Sequence, residues 1–137
     1  MSRARTQRIE FGKDFEVAGD WLEFSGKKSA RRPGVQEHIY LVIDGYEFDP
    51  TDPDDLSATI EIGGGRTIEP IVRVIDSNGT VYPTRDTTRW GGVIGLTLLP
   101  AADGSSMTKD AEKVRIAVRS DEKFLCKSIG WNSHRMK

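Results

Sequence analysis

The sequence predicts an all-β protein: an antiparallel two-sheet β-sandwich of immunoglobulin-like or jelly-roll type, with eight or nine strands. Three observations carry that expectation. Short β-type apolar runs recur about every 10–15 residues, with turn residues between nearly all of them. Lys113-Val114-Arg115-Ile116-Ala117-Val118-Arg119 alternates cleanly between polar and apolar side chains. No stretch keeps a 3.6-residue apolar period long enough for a major helix, so helix content should fall under about 10%. Without crossover helices, parallel α/β architectures are excluded. A closed barrel is the less favoured arrangement of the same strands.

Taken in order, residues 1–8 are polar and read as a loose segment. Residues 9–132 form one domain, and 133–137 a C-terminal tail. Arg8 to Phe11 is a first short strand, and Phe15 to Phe24 a second, interrupted at Gly19-Asp20. Residues 25–37 form a loop. Residues 38–44 are apolar on both faces, as in a central strand covered on both sides. Residues 45–55 form an Asp- and Pro-rich loop.

Leu56 to Ile62 alternates by two, Gly63-Gly64-Gly65 turns the chain, and Arg66 to Ile75 returns. Asp76-Ser77-Asn78-Gly79 is a hairpin turn, because Asn and Gly tolerate positive φ. Thr80-Val81-Tyr82 opens the partner strand, and residues 83–91 read as another loop. Gly92 to Leu99 is a buried strand closed by Pro100. Residues 101–112 are a long loop with a helical turn near Thr108. Strands 113–119 and 124–131 complete the domain.

The alternation places Ile39, Leu41, Ile43, Ile60, Val72, Val74, Leu96, Val114, Ile116, Val118, Ile129 and Trp131 in the core. Trp21 and Trp131 lie in predicted strands and are assigned to the core as well.

The 137 residues include 20 Lys/Arg and 21 Asp/Glu, a formal net charge of −1. This balance argues against nucleic acid as a partner. The charge is uneven along the chain. Residues 36–70 hold 9 acids against 1 base, while 1–35 hold 8 bases against 5 acids and 71–137 hold 11 against 7. An acidic middle third thus lies between two mildly basic flanks.

Cys126 is the one cysteine, which rules out an internal disulfide and a zinc site built on Cys pairs. No secretory h-region follows the basic start, and no run approaches the ~18 apolar residues of a membrane span, so a cytoplasmic protein is expected.

Four features could carry chemistry. Asp44, Glu47, Asp49, Asp52, Asp54 and Asp55 are hard oxygen ligands gathered mostly in one loop. Asp49, Asp52, Asp54 and Asp55 form a weak calcium candidate without EF-hand spacing. The competing reading is a capped helical turn over Asp52-Pro53-Asp54-Asp55, with Asp52 as N-cap and Pro53 at the first helical position. Lys27, Lys28, Arg31 and Arg32 put four cations in six residues, able to hold phosphate or an acidic partner, or simply to solvate a loop. Trp90, beside Gly91-Gly92, could stack on a ligand or cap the core. Cys126 lies inside a strand with no base to activate it, as an inert buried thiol does.

No nucleophile elbow, phosphate loop or His-Glu-x-x-His motif is present. The leading expectation is therefore a non-catalytic binding module for another macromolecule, a protein or polysaccharide, without a cofactor. Unlike charges at 27–32 and 44–55 also allow self-association. The rivals are a calcium-dependent sandwich binding carbohydrate or a membrane surface, and an enzyme on a jelly-roll or barrel scaffold. The enzyme requires a deep polar pocket holding paired carboxylates or a His.

Overall fold

The computed structural model describes residues 6–29, 35–43, 61–62, 66–90, 92–108 and 111–135; for Thr6, 61–62, 66–67, 88–90 and 134–135 it describes backbone only. Ten strands run β1 (Thr6–Val17), β2 (Leu22–Lys27), β3 (Val35–Ile43), β4 (Glu61–Ile62), β5 (Arg66–Thr67), β6 (Ile71–Asp76), β7 (Val81–Trp90), β8 (Val93–Leu98), β9 (Lys113–Arg119) and β10 (Phe124–Arg135). The described residues contain no helix, in keeping with the all-β expectation.

Eight strands make one antiparallel sheet in the order β1-β10-β3-β8-β7-β6-β9-β2, and β4 pairs with β5 in a small hairpin. The eight strands form a nearly closed, barrel-like sheet in which two separate sheets are not clearly distinguished. β7 is the reason on one side. Its first residues pair with β6 and Thr84 to Trp90 pair with β8, so one long strand belongs to both halves. Register shifts at Asp86/Thr88 in β7, Glu10/Gly12 in β1 and Cys126/Ser128 in β10 add the bend and twist that closure needs.

On the other side the edge strands β1 and β2 meet through side chains. The rings of Phe15 and Phe24 lie 4.4 Å apart, and Gly12 and Gly26 sit directly beneath Phe24 and Phe11. An eight-stranded barrel has an interior that side chains can fill.

That interior is the core. Ile39, Leu41, Ile94, Ile116, Ile129 and Trp131 are at most 1% exposed, and Val17, Val72, Val74, Val114, Val118, Phe124 and Cys126 join them. The expected core residues are buried, with two exceptions: Ile60 lies outside the described residues, and Trp21, also assigned to the core, is only half-buried. On β9 the alternation holds as read: Val114, Ile116 and Val118 face in, while Arg115 faces water.

The β6–β7 hairpin also forms as expected. Gly79 has φ +84°, where a Cβ is disfavoured, and its N–H donates to Asp76 O at 3.0 Å. The Asp76 carboxylate accepts from Asn78 N, Thr80 N and the Tyr82 hydroxyl, tying the turn to the strand.

Local expectations are corrected near the start of the chain, at Phe15 to Val17 and at 83–90. Thr6 to Arg8 are paired with β10 instead of loose, and Phe15 to Val17 belong to β1; the chain breaks at Gly19-Asp20 before β2 begins. Residues 83–90 are strand. Pro83 lies opposite Arg73 of β6, and its carbonyl accepts from Leu99 N at 2.8 Å just past the end of β8. Where a helical turn is expected near Thr108, Ala111 N donates to Thr108 O at 3.2 Å, and residues 109–110 lie outside the described residues.

Candidate functional site

The residues singled out in the sequence are dispersed. Asp49, Asp52, Asp54, Asp55, Arg31 and Arg32 lie outside the described residues, as does the expected turn at 52–55. Trp90 is the last residue of β7, opposite Val93, instead of in a loop. Lys27 ends β2 and is exposed.

Lys28 departs from the solvated-loop reading: it is 1% exposed. It continues the inward parity of Leu22, Phe24 and Gly26, and so enters one mouth of the barrel. Its Nζ donates to Glu37 Oε2 at 3.2 Å and to Ser29 O at 3.1 Å, and lies 5.1 Å from the Trp131 ring. Trp131 Nε1 donates to the same Glu37 oxygen at 2.9 Å. Glu37 shares the inward face of β3 with Ile39, Leu41 and Ile43. One carboxylate thus answers both a buried ammonium and a buried indole, which lets two polar groups close an apolar interior.

A cleft of about 380 Å³ lies beside this mouth, lined by Gln36, Glu37, His38, Leu98, Ser106 and Met107 among others. It contains a His and a carboxylate, but neighbouring strand residues point to opposite faces. His38 Nε2 and Asn132 Nδ2 lie 3.1 Å apart, while Glu37 turns inward to Lys28 and Trp131. The two do not converge on one point.

Cys126 is buried, and its thiol donates to Ser128 O at 3.2 Å. Burial pushes its pKa up to about 12, so the thiolate a nucleophile needs is disfavoured. Among the described residues no group of three or more His, Cys, Asp or Glu could hold a metal ion.

Two outward faces remain. Over β1, β10 and β3, Arg8 covers the Tyr40 ring at 4.5 Å, Tyr40 Oη and Ser128 Oγ lie 3.2 Å apart, and Ser128 donates to Glu10 at 2.7 Å. Tyr40 is 2% exposed, so this chain of contacts is packing.

The face over β2, β9, β6 and β7 is different. Its rows are set by register: Lys27 beside Lys113; Ser25, Arg115, Ile75 and Val81; Glu23, Ala117, Arg73 and Pro83; and Arg119 beside Ile71. Trp21, assigned from sequence to the core, lies on this face. It precedes the inward Leu22 and therefore points out. The Arg73 guanidinium lies 3.9 Å from its ring and that of Arg119 5.6 Å. Ile71 and Val81 are 45% and 38% exposed, large for apolar side chains on a sheet. The alternation Trp21-Leu22-Glu23-Phe24-Ser25 carried the signal for Trp21; that it meets Arg73 and Arg119 depends on which strands are neighbours.

This face brings together an indole ring, two guanidinium groups and exposed apolar side chains on neighbouring strands. No protein-family model and no curated protein sequence matches the chain. Among the described residues no helix is long and apolar enough to cross a membrane.

Proposed function

We propose that this protein is a non-catalytic binding module that holds a macromolecular partner on the outer face of β2, β9, β6 and β7. The observation that carries the reading is Trp21 covered by Arg73 and Arg119, with exposed Ile71 and Val81 on the same face. Aromatic and arginine side chains dominate binding energy at protein interfaces, and here Arg73 and Arg119 stand against Trp21 within the chain. In this reading β2, β9 and β6 act as one layer of a flattened, sandwich-like barrel, opposite β1, β10, β3 and β8, with β7 shared.

The test is amide chemical-shift mapping of the labelled protein against three probes, an acidic peptide, a neutral oligosaccharide and a sulfated polysaccharide, and across a dilution series of the protein itself. Shifts gathered on residues 71–85 and 113–119 are expected for at least one titration. No shift in any of them, or shifts centred on Glu37 and His38 instead, would overturn the reading.

A further inference from the structure

We infer that the partner on this face is an acidic peptide, lying extended over β9 with two carboxylates four residues apart; this rests on the binding-module reading above. The outward residues of β2, β9 and β6 include five cations, Lys27, Lys113, Arg115, Arg73 and Arg119, against one carboxylate, Glu23. Two of the cations are answered within the chain. Arg115 donates to Glu23 at 2.7 Å, and Arg119 to Asp121 at 3.3 Å. The other three, Lys27, Lys113 and Arg73, have no ion-pair partner among the described residues.

Lys27 and Lys113 stand directly opposite each other in the β2–β9 ladder, where like charges repel. With Ser25 and Ser77 they line a cleft of about 490 Å³. Asp76 lines it too, but its carboxylate is held by Asn78 N, Thr80 N and the Tyr82 hydroxyl. Arg73 packs on Trp21 instead of on an acid, and its buried Nε has no hydrogen-bond acceptor among the described residues. A carboxylate between the two lysines relieves their repulsion, and a second one answers the Arg73 guanidinium.

Spacing selects an extended chain. Side chains on one face of a strand recur about every 6.6 Å. Arg73 lies opposite Ala117, four residues along β9 from Lys113, so the two cationic positions are roughly 13 Å apart along the strands. An extended peptide has the same repeat, and acids at its first and fifth residues meet both positions. Its seventh residue reaches the row of Ile71, which is 45% exposed, and is apolar there.

Charge argues against other anionic chains. Past Ile71 the neighbouring cleft is lined by Glu69, Asp86, Asp121 and Glu122 and by no Lys or Arg. A nucleic acid or a sulfated polysaccharide is charged all along its length and finds no cation in that cleft. A peptide can be acidic at one end and apolar at the other. Bases also need successive stacking platforms, and among the described residues of this face Trp21 is the one aromatic.

The experiment is an amide chemical-shift titration of the full chain. The probe is a threonine-rich peptide of eight residues, with glutamate at its first and fifth positions and leucine at its seventh. Two comparison peptides carry glutamine in place of glutamate, or set the two glutamates side by side. The first peptide is expected to bind at least about fivefold more tightly than either, and more weakly at high salt. Lys27→Ser/Lys113→Ser should weaken it by at least about fivefold. Lys13→Ser/Lys127→Ser, an equal loss of charge on β1 and β10, should leave it unchanged. All four lysines are exposed, so the core stays intact, and circular dichroism melts check the fold.

Equal affinity for the three peptides, or equal effects of the two lysine pairs, would overturn the inference. So would an oligothymidylate or a sulfated polysaccharide that binds through Lys27 and Lys113 more tightly than the peptide. If a neutral oligosaccharide or dilution of the protein itself shifts this face while the acidic peptide does not, the binding-module reading survives and this one falls. If no probe shifts the face, both fall.

Discussion

Phe24 packs on Phe15 at 4.4 Å and fills the space above Gly12, where a Cβ would come within 2.5 Å of its Cδ1. The relationship is reciprocal across the seam, since a Cβ on Gly26 would meet the Phe11 ring at 2.6 Å. β1 and β2 are the two edges of the sheet and share no hydrogen-bonded ladder, so these rings do what a ladder does elsewhere in the barrel. Gly12→Ala should therefore destabilise by about 1–3 kcal/mol through overpacking. Phe24→Ala should also destabilise, but the double variant should lose less than the sum of the two, as for residues in direct contact. Urea midpoints of the four proteins check it; additive losses would mean the seam is not packed this way.

The mouth of the barrel yields a sharper asymmetry. Lys28→Met leaves Glu37 half-buried without its cation, and Glu37→Leu strands both the ammonium and the Trp131 indole. Each single change should cost on the order of 3–5 kcal/mol. The double change removes both charges and should cost less than either single change. Denaturant unfolding of the three variants decides the matter.

Ile116 is fully buried at the centre of β9, between inward neighbours on β2 and β6. Ile116→Ala should lower stability by about 2–5 kcal/mol. The outward-facing Arg115→Ala, two-fifths or more exposed with its Glu23 partner, should lower it by about 1 kcal/mol or less. Equal losses at the two positions would show the faces are misassigned.

Two groups make the fold sensitive to alkali. Burial raises the Cys126 thiol from its ordinary 9.0 to about 12. Burial, then the hydrogen bond and charge of Asp76, raises the Tyr82 hydroxyl above its ordinary 10.0. In both the folded state favours the neutral form. The stability they contribute is fully present below the unfolded pKa and is lost as pH rises through the folded one. Melting temperature should fall from about pH 9 upward, and Cys126→Ala should flatten that fall. Below pH 9 the native thiol should stay inert to a disulfide reagent and react once the chain is unfolded in urea.

Much of this architecture is written locally. The period-two alternation on β9, the apolar run of β3 and the Asp76–Gly79 turn each depend on residues adjacent in the chain, so strand, inward face and hairpin follow from sequence alone. The same holds for the burial of Cys126, placed inside a strand.

What the tertiary structure decided is which strands lie side by side. A strand reads the same in a sandwich and in a barrel; closure depends on β7 serving two neighbours and on Phe11 and Phe24 finding Gly26 and Gly12 across the seam. Lys28 reads as one cation of a solvated run; its burial is made tolerable by Glu37, nine residues on, and by Trp131 near the other end of the chain. Trp21, Arg73 and Arg119 come from three separate strands or their ends, and no local pattern joins them. Alternation fixes the face of each strand, but neighbours are chosen by long-range packing, and the proposed binding face is made of neighbours.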